Sequence, residues 1–314
     1  MQPTHTDVHT DKVLTNVLVA YRDPDVIWSE IAPVIDTGGR ESDKYYKYDK
    51  GPWLTKDADL MAPGDPAPIS GFTISSDTFS CNEYGISTFI ADRTLENADA
   101  VLKQGLRQDA AIWCMDDLNR KMESDLAAAV FTTSVWGNDK TGGTDFTQWS
   151  DKNNSTPLDD VIDGKSTIRG DTGKRPNRMA IGDQVWDELQ RNSQLIDALG
   201  ANERGFVTPG TVAEFMGLDK LLIGTAVYNS ANEGQTASMT RVWGKHALLY
   251  YCPERPGRMT PSAAYTFQAQ PVEVRRWRED NSVHRKVEFV EASIIQGYKV
   301  VGTDLGYFFS GAVA

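Results

Sequence analysis

Three features of this 314-residue sequence predict an α+β fold. A proline-free stretch from Ala91 to Trp136 carries apolar residues at three- and four-residue steps, the period of a helix face. Residues 158 to 251 then alternate helical with strand-like patterns. From Tyr265 onward the pattern is almost wholly β. A long helix beside an alternating region and a long β region implies segregated layers around a shared core.

The elements follow in chain order. Residues 1 to 44 read as an arm. It has an apolar run from Val13 to Tyr21, then Asp23-Pro24, then a short helical patch from Val26 to Ile31, closed by Gly38-Gly39. Val13, Leu14, Val17, Leu18, Ile27, Trp28 and Ile31 need a surface to bury against. Their own short segment supplies none, so a neighbouring subunit is the expected surface. Residues 45 to 90 combine Tyr45, Tyr46, Tyr48 and Trp53 with the turn-rich Met61-Ala-Pro-Gly-Asp-Pro-Ala-Pro68. Phe72 and a β-branched, aromatic run follow. Such residues around proline turns predict an extended two-stranded excursion, and Pro63, Pro66 and Pro68 bar a central strand there.

The stretch Ala91 to Trp136 predicts one helix with Asp92 or Thr94 as N-cap. Its stripe is Leu95, Ala98, Leu102, Leu106, Ala110, Trp113, Leu118, Met122 and Leu126. At 1.5 Å per residue some 40 residues make a rod of roughly 60 Å. The stripe is expected on the subunit's own sheet, while the rod's length reaches neighbours. Gly137 to Pro157 is a polar loop.

Leu158 to Ile168 reads as a helix, Arg178 to Ile181 as a strand, and Gln184 to Leu199 as a helix capped by Asp183 and ended by Gly200. Thr208-Pro209 opens a short helix to Met216, because proline in a first turn costs no hydrogen bond. Lys220 to Tyr228 and Val242 to Tyr251 are strand-like. Val272 to Arg278 and His284 to Val301 form a long hairpin around Glu279-Asp-Asn-Ser282, and Tyr307 to Val313 closes the chain.

The formal net charge of −12 argues against a strong phosphate-neutralising surface. Cys81, Cys114 and Cys252 form no CxxC pair and read as free, buried thiols. The polar first twelve residues have no apolar core of a signal peptide, and no run approaches a membrane span. These features predict synthesis and use in a cytosol.

Recognisable chemistry is sparse. Gly164-Lys165-Ser166-Thr167 resembles the end of a phosphate loop, but Asp159 stands where that loop needs glycine, so a capped turn is expected. Asp159, Asp160 and Asp163 lack calcium-loop spacing. The histidines, His5, His9, His246 and His284, are scattered, and neither HExxH nor GxSxG occurs. No catalytic residue, cofactor site or metal site is expected.

The joint order is more specific than any single motif. An arm precedes an aromatic and proline-rich hairpin, and Asp92-Arg93-Thr94-Leu95-Glu96-Asn97-Ala98 opens a long helix. A loop with Phe146-Thr-Gln-Trp149-Ser150 and Ser155-Thr-Pro157 then leads to an α/β insertion. That insertion carries Arg175-Pro-Asn-Arg-Met-Ala-Ile181 and Val185-Trp-Asp-Glu-Leu189, and the chain returns through a long antiparallel hairpin. This order resembles the tailed-bacteriophage major capsid proteins of the Hong Kong 97 type, over nearly the whole chain.

The resemblance implies an N-arm (1–44), an E-loop lying across the adjacent subunit (45–90), and a peripheral-domain spine helix with its loop (91–156). It further implies an inserted axial domain (157–264) and a peripheral-domain β hairpin with the C-terminal strand (265–314). Tyr307 to Val313 is placed to pair back into the axial domain. The implied function is an icosahedral phage head of hexamers and pentamers around double-stranded DNA held without sequence specificity. The shell would be assembled in the host cytoplasm with no membrane involved. Inter-subunit contacts are expected at Val13, Leu14, Leu18, Trp28, Tyr46, Trp53, Phe72 and Arg93. Scaffolding, portal and decoration proteins are candidate partners. With about 40 residues before the hairpin, a separate scaffold protein or none is expected. The alternatives are an encapsulin-like bacterial compartment and a cytosolic α/β enzyme without a recognisable motif.

Overall fold

The computed structural model describes residues 9–20, 26–47, 54–61, 64, 66–69, 71, 75–97, 99–200, 207–257, 260–279 and 286–314. Two five-stranded sheets organise them, with one long helix between.

The first sheet runs β1 (His9–Thr10), β12 (Ala264–Glu279), β13 (Val287–Val300), β5 (Asn82–Ala91), all antiparallel. β2 (Val34–Asp36) adds in parallel to the start of β12. β12 and β13 shift register between Gln268 and Glu273, around Pro271, which has no N–H to give the ladder. β5 was expected in the projecting hairpin. It joins this sheet instead, because Tyr84, Ile86 and Ile90 alternate toward the core.

The second sheet runs β6 (Asn138–Thr141), β14 (Gly306–Ser310), β11 (Ala247–Tyr250), β7 (Arg178–Gly182), β8 (Lys220–Gly224). Its middle strands are buried on both faces and so read as continuous apolar runs. Ala180, Leu248, Tyr250 and Phe308 point to the core shared with the long helix. Met179, Ile181, Leu249 and Phe309 point to a second core under the helices of the insertion. This sheet draws β6 and β14 from outside residues 157 to 264, and the last strand lies inside it. The stretch 220–228 splits into β8 and β9 (Val227–Asn229). The stretch 242–251 yields only β11, and β10 (Met239–Arg241) pairs with β9.

The amino-terminal helices are α1 (Lys12–Ala20) and α2 (Trp28–Ile31). The expected single rod from 91 to 136 is shorter and broken. Ala91 ends β5, α3 (Asp92–Glu96) is separate, and the spine helix α4 spans Ala100–Val130. Its 31 residues extend about 46 Å. Asp92 does not cap a helix; it is buried and pairs with Arg278 at 2.5 Å. Thr94 is exposed and Ala98 lies outside the described residues. At the other end the chain turns through Ser134 (φ 68°), and Trp136 folds back to donate from Nε1 to the Val130 carbonyl at 2.7 Å.

The insertion adds α5 (Pro157–Thr172), α6 (Asp183–Leu189), α7 (Ser193–Gly200) and α8 (Pro209–Phe215). The expected helix 184–199 is interrupted at Asn192. This buried side chain donates to Ser155 Oγ and accepts from the Gln194 N–H, so it caps α7. Asp183 is the first residue of α6 and pairs with Arg241. Thr208 caps α8 in a reciprocal capping box. Gly164-Lys165-Ser166-Thr167 is helix interior, not a capped turn. Gly164 allows close packing, since a Cβ there would lie 3.2 Å from Leu249. Lys165 Nζ donates to the carbonyls of Met216 and Gly217 beyond the end of α8.

Glu123 joins the parts. It is fully buried on the spine. Oε1 accepts from the Ile27 and Trp28 N–H groups at 2.5 and 3.3 Å, and Oε2 accepts from Trp243 Nε1 at 2.7 Å. Arm, spine and insertion thus meet on one carboxylate. A second tie links Arg107 on the spine to Glu288 on β13 by two 2.8 Å hydrogen bonds, with Arg276 and Asp11 extending the network.

The C-terminal segment is held by His246. Its Nδ1 accepts from the Gly311 N–H at 3.0 Å, and its ring lies beside Phe131 and Phe308. Burial pushes the imidazole pKa below its usual 6.5.

Two outcomes are expected. Glu123→Leu leaves three N–H groups without their acceptor and should cost about 3 kcal/mol or more, a fall in Tm of roughly 6 °C or more. An unchanged Tm would remove Glu123 as the joining group. Because burial holds the folded imidazole pKa below the unfolded value of about 6.5, the contribution of His246 is present above that value and is lost as pH falls below it. Thermal unfolding between about pH 8 and pH 5 should therefore show a smaller acid-side loss for His246→Gln than for the parent chain. Equal slopes would contradict this.

Candidate intersubunit surfaces

The hairpin of β3 (Ser42–Lys47) and β4 (Ser75–Ser80) has a buried base and an exposed end. At the base Phe79 stacks on Phe267 with centroids 4.2 Å apart, and Tyr45 tilts against the same ring at 5.5 Å. Gly297 lets β13 pass close by, since a Cβ there would meet the Ser80 carbonyl at 2.2 Å. Burial, with Asp77 adding to it, pushes the Tyr45 hydroxyl up to about 12, so it stays protonated and donates to Asp77. Lys47, 3.0 Å from Asp77, holds that carboxyl down at about 2.

Beyond the strands the described loop residues are exposed. Leu60 and Ile69 are 98% and 101% exposed, and Leu54 and Met61 at least half. Further exposed apolar residues are Val227, Tyr228 and Met239 on the isolated β9–β10 ribbon, Phe89 on β5, and Leu102 and Trp113 on the spine. Two-stranded ribbons without a covered face are marginal in water, and exposed apolar groups of this kind mark interaction surfaces.

The sequence-selected contact residues divide. Val13 (61%) and Tyr46 (44%) are exposed, as is Arg93. Trp53 and Phe72 lie outside the described residues. Leu14, Leu18 and Trp28 are buried in the subunit's own core, which corrects their expected role toward a neighbour. Their partner surface is formed by the spine, β12 and β13, elements far away in sequence. Glu30 adds to the attachment: its carboxylate pairs with Lys220 at 2.8 Å, and its carbonyl accepts from Arg178. Sequence reasoning missed Leu60, Ile69 and the β9–β10 residues. The available signal was aliphatic residues inside Pro/Asp- or Asn/Gly-rich stretches.

No set of three or more His, Cys, Asp or Glu side chains among the described residues is grouped to hold a metal. No helix among them is long and apolar enough to cross a membrane. The three cysteines are free and buried, and burial raises their thiol pKa values, that of Cys114 to about 11. Such thiols are unreactive.

An exposed loop and ribbon on a helix-and-two-sheet body recur in known proteins. No family model matches the chain. The major capsid protein of Burkholderia phage BcepMu is 27% identical over 315 residues, spanning 96% of this chain and 96% of that protein. The chain is a relative of the phage major capsid proteins. That of Pseudomonas phage JBD67 is 27% identical over 249 residues, 77% of this chain and 76% of the relative. Among solved structures, a phage-related protein of Bordetella bronchiseptica RB50 aligns over 97% of this chain and 98% of its own, with TM-score 0.76 and 17% identity. The capsid of cyanophage P-SCSP1u aligns over 99% and 92%, with TM-score 0.54 and 12% identity. The fold is the α+β capsid fold of the Hong Kong 97 type, and the role carried by this kinship is structural.

The burial of the arm changes what its removal should do. Deletion of residues 1 to 40 takes Leu14, Leu18, Ile27, Trp28 and Ile31 from the core and leaves Glu123 without two donors. The truncated chain should lose its cooperative thermal transition. A retained transition at the parent midpoint would mean that the arm is dispensable to the subunit.

Proposed function

We propose that this chain is the major shell subunit of a tailed-phage head. Copies assemble as hexamers and pentamers into a closed icosahedral shell around double-stranded DNA, without sequence-specific contacts. The observation that carries this reading is the projecting loop, with Leu60 and Ile69 wholly exposed beyond a hairpin whose base is buried. A subunit that keeps such residues in water is complete only beside another copy. Closed shells need heterologous contacts, in which one patch meets a different patch of the next copy. The loop, the β9–β10 ribbon and the spine flank offer distinct patches of this kind.

In this reading the hairpin serves as the E-loop and the spine with the first sheet as the peripheral domain. The second sheet with its helices is the axial domain. Most of the arm belongs to the subunit body. The subunit performs no turnover; its chemistry is packing. The net charge of −12 fits a container that does not grip its DNA. Scaffolding, portal and decoration proteins would be separate chains. Assembly would take place in the host cytoplasm, and the final location is the virion capsid.

Purified protein examined by size-exclusion chromatography and negative-stain electron microscopy should give regular closed particles, or rings that close into them on concentration. A monodisperse monomer or dimer at all concentrations would overturn the reading.

A further inference from the structure

A short seam joins the second sheet to the loop that leads from the spine into the insertion. β14 ends at Ser310, and Gly311 turns the chain in the left-handed region (φ 59°). Residues 311–313 then run between the start of β11 and the connector 141–151. On one side the Gly311 N–H donates to His246 Nδ1 at 3.0 Å, and the Ala312 N–H to the Lys245 carbonyl at 2.8 Å. On the other side Gln148 Nε2 donates to the Gly311 carbonyl at 3.0 Å, and the Trp149 N–H to the Ala312 carbonyl at 2.7 Å. Ala312 and Val313 are buried in the second core with Trp149. Exposed ties from Lys245 and Ser150 to Ala314 complete the seam.

The seam holds one group that titrates near neutral pH. A main-chain N–H can only donate, so Nδ1 of His246 presents a lone pair and the neutral ring keeps its proton on Nε2. A proton taken from solvent onto Nδ1 sets two donors against each other. It also places a charge beside the rings of Phe131 and Phe308, and an unpaired charge in an apolar site is costly. The carboxylates on the surrounding elements are engaged elsewhere. Asp139 on β6 lies in register with Phe308 and accepts from the Ser134 N–H. Asp183, after β7, pairs with Arg241, and Glu123 on the spine takes the N–H groups of Ile27, Trp28 and Trp243. Lys245 and Lys140 add positive charge on the neighbouring segments. Burial already holds the imidazole below its ordinary 6.5.

We propose that His246 is an acid latch: its protonation ejects residues 311–313 from the second core and loosens the connector 141–151. The segment yields rather than the ring. His246 leads directly into β11, whose four residues are fully buried, whereas three residues past a glycine turn can leave by local opening. β14 stays in place, because β6 and β11 pair with it on both sides. Trp149 loses its main-chain acceptor, while its Nε1 still donates to Asp160. The latch lies within one subunit and does not depend on the shell reading.

The test is hydrogen exchange of the whole chain from about pH 7.5 to about pH 4.5, read by mass spectrometry and corrected for the intrinsic pH dependence of amide exchange. Peptides carrying residues 311–313 and 142–149 should lose protection several-fold below pH 6.5, while peptides from β12 and β13 keep theirs. Protection of 311–313 retained throughout, or lost together with that of β12 and β13, would overturn the proposal without any variant. In His246→Asn the amide oxygen can take the place of Nδ1 and does not titrate, so the seam should stay closed across the range. Opening like that of the parent would overturn the proposal. Burial also raises the pKa of Asp160 beside Trp149. Asp160→Asn should open as the parent does; a seam that then stayed closed in acid would assign the transition to Asp160 and overturn the latch.

Discussion

One buried carboxylate sets the relation between the parts of this subunit. Glu123 lies at the crossing of arm, spine and insertion, with no exposure to water. A charge in such a place is tolerable only while its donors remain. Those donors come from Ile27 and Trp28 on one side and Trp243 on the other. Trp243 is positioned in turn by Gly224, where a Cβ would come within 2.1 Å of the indole, and by the edge of Phe131. The second sheet, the spine terminus and the arm are therefore not independent modules. Moving one of them would leave either a bare carboxylate or bare N–H groups in an apolar core.

From that crossing the two halves of the spine take different roles. Toward its C-terminus Leu118, Met122, Leu126 and Val130 enter the core between the sheets. Toward its N-terminus the helix covers only the first sheet, through Arg107 and Glu288, and its far side is left to solvent. The stripe legible in the sequence drifts around the helix between these halves. Leu102, Leu106 and Trp113 share one flank, while the buried row is Ala111, Cys114, Leu118 and Met122. A period of 3.6 fixes which residues share a face, but not which face meets the core.

The same division runs through the whole subunit. Its two main cores are filled by its own chain, and exposed apolar side chains stand on the hairpin end, the β9–β10 ribbon, the outer spine flank and, at Ile162, Ile196 and Phe215, the helices of the insertion. A rigid body with separate sticky projections suits a building block.

Fold class, element order and most strands were legible locally. Proline and glycine punctuated the hairpin, apolar runs marked the doubly buried strands 178–182, 247–250 and 306–310, and Thr208-Pro209 announced its helix. The kinship with capsid proteins was readable from that order. Three matters were decided only in three dimensions. The assignment of β5 to the first sheet depends on β13, some 200 residues later, which supplies ten pairing positions. The split of the expected 184–199 helix depends on Ser155, which holds Asn192. The fate of the arm depends on a surface assembled from the spine, β12 and β13. Leu14, Leu18 and Trp28 announced in sequence that they needed burial. Whether a neighbour or their own subunit provided it was a question of long-range packing, and local periodicity carries no information about that.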